Sequence, residues 1–399
     1  MAVSDTAGSP HLHPHIVGLA KKLDHKLPGV RLNAARELGK ADVDAAAPHA
    51  MKMASRLMEN DGIVLRRAEA SLKDMREAGA AALESRISAG NDWEKTNSVM
   101  TLAEMGTLGA EVLVTQLGAT DEEVRDLSMR VLARMGEVGA KALVEQLHDS
   151  NAQVRKNALT ALGWMSAAGG PHGAAVDVKV DAIQRCLRDL DASVRRACVM
   201  ALVHMRAVGA KALVQRLADS DEKARELVAG ALRSLKEIGA AALVDGMLDD
   251  KAAIRRISSQ VLESMGEIGA AALAGALKHA DAGLRRRAAD ALGRMGNEAV
   301  PHLDALARLL DDDEHWVQVS AARALGQMGT AAVAYAAALE SFLQGNHKGL
   351  AKLSAVKALH QADPIKALDH DLKAVEGSFR YELVPLAHKT HHLEWPLGD

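Results

Sequence analysis

The chain has 399 residues, of which 48% are hydrophobic and 25% are charged, so it has enough apolar surface for a large core and is too hydrophobic to be disordered. Its formal net charge of −3 gives the protein as a whole no electrostatic reason to bind nucleic acid or an anionic membrane. No run of 18 apolar residues occurs, so membrane insertion is not expected, and two cysteines, Cys186 and Cys198, are too few for a disulfide scaffold.

The N-terminal end carries no recognisable targeting segment. Its first thirty residues lack both the apolar stretch of a signal peptide and the Arg/Ser-rich character of a transit peptide, so the expected location is the cytoplasm, with an organelle reached by another signal left open. Residues 1–11 are expected to form a flexible N-terminus. The segment HLHPH, His11–His15, could bind a transition metal adventitiously, but terminal polar residues are commonly mobile, and no metal site is expected there.

From residue 12 to 376 the sequence repeats one phrase about every thirty residues. The stretch MGEVGAKALVEQL from Met135 is matched by MGTLGAEVLVTQL from Met105 and by MGEIGAAALAGAL from Met265. A fixed internal period of this length predicts one elongated array rather than several globular domains.

Each copy predicts a pair of helices. In the copy from Asp121 to Ser150, apolar residues recur at helical spacing from Val124 to Met135, and Asp121 is the expected N-cap. The glycines of MGEVGA follow, where the chain leaves one helix and a positive φ is often required. A second apolar stripe then runs to Leu147.

Alignment of the Val-Arg dipeptide of the first helix gives eleven equivalent positions. They are Val30, Val64, Glu94, Val124, Val154, Val194, Ala224, Ile254, Leu284, Val317 and Ala351, with steps of 30 to 40 residues. A single pair cannot bury both apolar stripes, so neighbouring pairs must stack. The fold class predicted is all-α, a right-handed α-solenoid of about eleven stacked helical pairs.

This pattern resembles the HEAT-like repeat family, especially the short variant of about thirty residues found in phycobilisome-lyase-type proteins. The matching features are a helix-start Asp or Asn, the Val-Arg pair, the end of the first helix and the A-L-V of the second. The helix-start residues are Asp121, Asn151, Asp191, Asp221 and Asp281. The resemblance implies a fold but not one function, because such solenoids serve as scaffolds, transport receptors, enzyme subunits and lyase chaperones.

One arginine recurs at the same place in the repeats, at Arg31, Arg125, Arg155, Arg195, Arg225, Arg255 and Arg285. In HEAT-like families this residue usually pairs with the helix-start aspartate of its own or an adjacent repeat. We therefore expect a structural ladder rather than a phosphate-binding track, with the block from Arg285 to Arg287 as the best place for an exception.

No catalytic, cofactor or metal site is expected. Deoxyhypusine hydroxylase, which has HEAT-like repeats, holds a di-iron centre through His-Glu dipeptides, and no histidine here is followed by glutamate. Cys198 falls on an apolar stripe, where a buried thiol is the simplest interpretation. The segment HKTHH, His388–His392, is terminal like its N-terminal counterpart.

Two departures from the repeat are candidate contact regions. The forty-residue step from Val154 to Val194 contains an insertion at about residues 167–181, which either carries contacts or is a tolerated loop. The C-terminal tail, residues 377–399, concentrates Phe379, Tyr381 and Trp395. This tail either caps the last repeat or docks into another protein.

The function expected is a non-enzymatic scaffold or a subunit of a larger assembly that binds protein partners along the solenoid. The partner-facing wall is assigned to exposed positions of the second helices. These are Lys141, Glu145, Lys211, Gln215, Asp245 and Lys278. Their mixed charge favours a protein partner over nucleic acid. The alternatives are a bilin lyase-like, chromophore-handling protein and a transport adaptor.

Overall fold

A computed structural model describes residues 13–59, 61–169, 175–176, 179–219, 222–345, 347 and 349–363. These residues form helices and no strand, which confirms the predicted all-α solenoid. The chain divides into two compact units, Met1–Met205 and Arg206–Asp399.

In the first unit the α-helices are α1 (Pro14–Lys22), α2 (Pro28–Lys40), α3 (Val43–Ala46), α4 (Ala50–Ala54), α5 (Gly62–Asp74), α6 (Arg76–Ala89), α7 (Asp92–Ala103), α8 (Thr107–Thr115), α9 (Glu122–Arg134), α10 (Gly136–Glu145), α11 (Ala152–Ala168), α12 (Val180–Arg185) and α13 (Ala192–His204). In the second unit they are α14 (Arg206–Val214), α15 (Glu222–Ser234), α16 (Glu237–Gly246), α17 (Ala252–Glu263), α18 (Glu267–Ala276), α19 (Ala282–Met295), α20 (Leu303–Arg308), α21 (His315–Gln327), α22 (Ala336–Gln344) and α23 (Gly349–Ala362). Short 3-10 segments, such as Gln116–Gly118 and Gln146–His148, extend several second helices.

The first helices of successive repeats pack in one layer and the second helices in another. Within the first unit α2 contacts α5, α7 contacts α9, and α9 contacts α11, while α4 contacts α6 and α8 contacts α10. Within the second unit α17 contacts α19, α19 contacts α21, and α14 contacts α16. Each of the eleven aligned positions lies in a first helix of the described residues.

A leucine at the same position of most first helices lies in the core between the layers. Leu72, Leu102, Leu132, Leu162, Leu202, Leu232, Leu262, Leu292 and Leu325 are each fully buried. Burying a leucine side chain contributes about 1.5–3 kcal/mol, so one such residue per repeat supports stacking throughout each unit.

The helix boundaries follow from the residues that the sequence singled out. The side chain of Asp121 accepts hydrogen bonds from the backbone N–H groups of Glu123 and Val124 and thereby caps α9. Gly136 has φ +62°, as expected of a glycine between paired helices. Gly139 is needed for a different reason, because a Cβ there would lie 2.0 Å from the carbonyl oxygen of Leu132.

The insertion partly lengthens a helix. Helix α11 has 17 residues, whereas α9 has 13, and its last turn contains Ala167 and Ala168 of the inserted stretch. Val176 of the same stretch is fully buried. Residues 170–174 and 177–178 lie outside the described residues.

Candidate protein-binding site

The recurring arginine binds the backbone of the turn that precedes its own helix. In all seven copies one guanidinium nitrogen, Nη1, donates to the carbonyl oxygen six residues earlier, at 2.7–2.9 Å. A side chain in the first turn of a helix points back toward the N-terminus, so it reaches these otherwise unpaired carbonyls.

In the repeats longer than thirty residues the same arginine also forms an ion pair with an acid of the following turn. The pair has two hydrogen bonds in two of these repeats and a single short contact in the third. Arg155 donates to both carboxylate oxygens of Asp189, at 2.7 and 2.8 Å. Arg285 does the same to Asp312, at 2.7 and 2.8 Å, and Arg31 lies 2.6 Å from Glu59. Bidentate pairs of this kind are the stronger class of charged hydrogen bond.

The prediction that this arginine pairs with the helix-start aspartate is therefore wrong for these three repeats. Asp189 stands two residues before the helix-start Asp191, which instead caps its own helix. The carboxylate of Asp189 is held by the backbone N–H of Asp191 and faces Arg155 of the preceding repeat. Lys95, at the arginine position of α7, does pair with a helix-start aspartate, Asp121, at 2.5 Å.

The ion pairs shift the pKa of their acids in the direction that favours the charged form. Hydrogen bonding to Arg155 lowers the pKa of Asp189 although burial opposes it. At Asp312 burial by itself raises the pKa, but the hydrogen bonds from Arg285 and from the backbone of Glu314 together lower it.

In repeats of thirty residues the arginine contacts the backbone without an acid partner in three cases. Arg125, Arg195 and Arg255 each donate to two turn carbonyls, and no carboxylate of the described residues lies within 4.0 Å of them. Among these six arginines, the three in repeats longer than thirty residues have an acid partner and the three in repeats of thirty residues do not.

The wall residues of the second helices are exposed, and some contact each other across repeats. Lys141 and Glu145 are exposed on α10. In the second unit Lys211 lies 3.8 Å from Asp245, and Gln215 donates to Asp249 at 2.7 Å. Because Lys211 and Asp245 are 71% and 65% exposed, their ion pair is weak and leaves both groups accessible.

The remaining residues that the sequence singled out form no further site in the described part of the chain. The tail residues Phe379, Tyr381 and Trp395, Asp221 and the segment His388–His392 lie outside the described residues. Cys186 and Cys198 are buried free thiols, and burial raises the pKa of Cys186 to about 11. The described residues contain no cluster of three or more His, Cys, Asp or Glu side chains able to hold a metal ion. None of the helices in that part of the chain is long and apolar enough to cross a membrane.

Sequence reasoning missed an exposed apolar surface in the first unit. We define the turn edge as residues 57–63, 87–95, 117–125 and 147–155, where a second helix is followed by the next first helix. Ile63 and Trp93 occupy the same position in successive repeats of this edge and are 65% and 57% exposed. The signal was available, because the equivalent residues Glu123 and Gln153 are polar.

Comparison with solved structures gives matches of low similarity. A crystal structure of an engineered protein is 21% identical, with 56% of this chain and 96% of that chain covered and a TM-score of 0.25. Importin beta is 13% identical, with 88% and 55% covered and a TM-score of 0.29. The complex of CpcE and CpcF of phycocyanin lyase from Nostoc sp. PCC7120 is 19% identical, with 39% and 98% covered and a TM-score of 0.28. TM-scores this low carry no argument about function.

Comparison with protein families is more direct. No curated protein matches the chain. The HEAT repeats family matches residues 269–360, which extend from within α18 to within α23. The same helical pair recurs in the described parts of both units. The predicted resemblance to HEAT-like repeat proteins is confirmed, with the family match lying within residues 269–360.

Proposed function

We propose that the chain is a non-enzymatic scaffold that binds protein partners through the turn edge of its first unit. The observation that supports this most is the pair of exposed apolar side chains, Ile63 and Trp93, at equivalent positions of stacked repeats. Met58, exposed by 51%, lies in the same turn as Ile63, and Leu27, exposed by 60%, lies in the preceding turn of the same unit. Exposed apolar groups that gather on one surface are typical of protein-binding sites.

Trp93 is suited to anchor a partner. Tryptophan is enriched among the residues that dominate binding energy, because its large rigid side chain buries much area at low entropic cost. The equivalent residues of the next two copies, Glu123 and Gln153, also face solvent. Packing of the repeats therefore does not require an apolar side chain at this position. Its exposure therefore has no role in stacking the repeats.

The charge around this surface indicates the kind of partner. Residues 84–126 contain nine acidic and three basic side chains, although the whole chain has a net charge of only −3. Asp92, Glu122 and Glu123 are exposed on the turn edge beside Trp93 and in the next repeat. An acidic surface of this kind favours a basic protein surface and disfavours nucleic acid.

The test is affinity capture from an extract of the native cells with quantitative mass spectrometry. The full chain is compared with the Ile63→Ser/Trp93→Ser double variant and with Met200→Ser as the control. Met200 is 50% exposed on α13 and lies outside the turn edge. We expect the double variant to lose a defined set of proteins that both the wild type and the control retain. Identical protein sets for all three chains would contradict the proposal.

The aromatic tail remains a second proposed contact. Its three aromatic residues, Phe379, Tyr381 and Trp395, are a large share of those in a chain that is 2% aromatic, and they suit an interface. Deletion from Gly377 onward would separate the two roles. A tail that binds a partner predicts loss of captured protein at an unchanged melting temperature, whereas a tail that only caps the last repeat predicts the reverse.

A further inference from the structure

An open groove of about 500 Å³ lies on the turn edge of the first unit. The larger apolar side chains in its lining are Ile87, Val124 and Val154, each at most 7% exposed. Most of the rest are polar, among them Thr115, Gln116, Asp121 and Asp149, and no lysine, arginine or histidine is among the lining residues. The groove therefore combines apolar walls with polar groups that include two carboxylates and no cation.

Two of these groups have acceptor atoms that no described residue uses. Asp149 accepts one hydrogen bond, from the backbone N–H of Asn151 to Oδ1 at 2.7 Å, and its Oδ2 accepts none from the described residues. Gln116 is only 8% exposed, and its amide nitrogen donates to Thr115 and Glu84. Its amide oxygen likewise receives no donor from that part of the chain. Neither oxygen is sealed from solvent, so each can accept a hydrogen bond from a ligand in the groove, which suits a ligand that donates hydrogen bonds.

The groove exists because a short side chain stands where the second unit has a long one. Gln215, thirty-four residues before Asp249, spans the equivalent space and donates to that carboxylate at 2.7 Å. The residue thirty-four before Asp149 is Thr115, whose single hydroxyl hydrogen is directed to the backbone carbonyl of Val112 at 2.7 Å or to Glu84 at 3.2 Å instead. A threonine is too short to reach Asp149, which leaves the space open.

The protein itself shows what the vacant carboxylate can hold. At the equivalent turn position Asp189 takes both guanidinium hydrogen bonds of Arg155, at 2.7 and 2.8 Å. Asp312 holds Arg285 in the same way. Asp149 has the same backbone setting, with its Oδ1 bound to the N–H two residues on, as in Asp189.

We propose that this groove receives an arginine side chain of a protein partner, whose guanidinium pairs with Asp149 and donates to Gln116. The aliphatic part of the arginine would lie against Ile87, Val124 and Val154, because such stems pack well on apolar surface while the charged end stays on polar groups. The inference deepens the proposed function and rests on it, since it names the chemistry of the partner.

Three cations near the groove do not oppose this ligand strongly. Arg155 donates to the backbone carbonyl of Asp149, but its charge is paired with Asp189, and Lys95 is paired with Asp121. Arg125 donates to the carbonyls of Ala119 and Thr120, which line the groove, so its charge lies nearby. The surplus of acids in residues 84–126, including the exposed Glu122 and Glu123, offsets that charge. Attraction from this surplus falls with ionic strength, so binding should weaken as salt is added.

The test uses the full chain and a fluorescein-labelled tetra-arginine peptide in fluorescence polarisation at low salt. Asp149→Asn removes the charge but keeps the acceptor for Asn151, and Thr115→Gln fills the groove as Gln215 does in the second unit. Glu137→Gln is the matched control, because it removes one exposed carboxylate of α10 that neither lines the groove nor belongs to the partner-facing wall. Circular dichroism verifies that each variant is folded.

We expect the dissociation constant to rise by at least about fivefold in Asp149→Asn and Thr115→Gln and to change by less than about twofold in Glu137→Gln. A tetra-lysine peptide should bind more weakly than tetra-arginine, because an ammonium cannot pair at two points. Equal weakening in all three variants, equal binding of the two peptides, or no binding to the wild type would overturn the inference. If capture of partners still depends on Ile63 and Trp93 in that event, the inference fails and the proposed scaffold function stands.

Discussion

Two successive turns of the first unit carry an aspartate at the same position and use it differently. Asp189 is occupied by Arg155, whereas Asp149 accepts only a backbone hydrogen bond. The step between Val154 and Val194 is forty residues, and the step between Val124 and Val154 is thirty. In both turns the repeat motif supplies an arginine and an aspartate, but the two side chains meet only in the longer repeat. Where they do not meet, the carboxylate is left for a partner.

Removal of each aspartate in turn should give the largest difference in unfolding free energy between the two turns. Asp189→Ala leaves Arg155 without its partner in a setting where the two side chains are 15% and 11% exposed, so we expect a loss of about 2 kcal/mol in unfolding free energy. Asp149→Ala removes the same backbone acceptor but no ion pair, and should cost less than about 1 kcal/mol. Urea unfolding followed by circular dichroism measures both. Equal losses would mean that the ion pair adds nothing to the turn.

Ionised Asp189 should add about 1 kcal/mol to the free energy of unfolding at neutral pH, and this contribution should disappear in acid. The folded pKa of Asp189 is lowered, so its contribution is fully present above the unfolded value of about 3.9 and is lost as the pH falls through the folded value. The wild type should therefore exceed Asp189→Asn in stability at pH 7, and the gap should close below about pH 4. Thermal melts of both chains from pH 7 to pH 2 provide the measurement, and a gap independent of pH would refute it.

Filling the open turn should give the smallest effect. Thr115→Gln places an amide near Asp149, as Gln215 lies near Asp249, and one new hydrogen bond is worth about 0.5–1.5 kcal/mol before the entropy of the longer side chain is subtracted. We expect a gain of about 0.5 kcal/mol. Thr115→Leu, which has similar bulk and no amide, should give no such gain. A destabilised Thr115→Gln chain would show that the groove does not have the geometry of the Gln215 site.

The helical framework was predictable because its causes are local or periodic. Leu132 lies on a stripe with helical spacing, Asp121 can cap only from the position before a helix, and Gly136 allows the positive φ that its turn needs. Each of these properties depends on residues within a few positions, and the copies repeat them. The same reasoning gave the stacking of pairs, because isolated pairs cannot bury both faces.

The details of the candidate site were not predictable in this way. The choice of Asp189 over Asp191 as partner of Arg155 depends on where a longer repeat places its turn in space. The groove depends on the reach of Thr115 toward a carboxylate thirty-four residues away. Exposure of Trp93, by contrast, could have been predicted, because the equivalent positions in the next two copies, Glu123 and Gln153, are polar.

A pair of double-mutant cycles in the full chain tests most directly whether Asp189 is paired with an arginine of the chain while Asp149 is not. One cycle uses Arg155→Ala and Asp189→Ala, and the other uses Arg125→Ala and Asp149→Ala. Each arginine also donates to two turn carbonyls, so that common loss cancels and the coupling energy isolates the ion pair. We expect a coupling of about 1–2 kcal/mol for Arg155 with Asp189 and near zero for Arg125 with Asp149. Equal couplings in the two cycles would contradict the account, because Asp149 would then already be paired and not open to a partner.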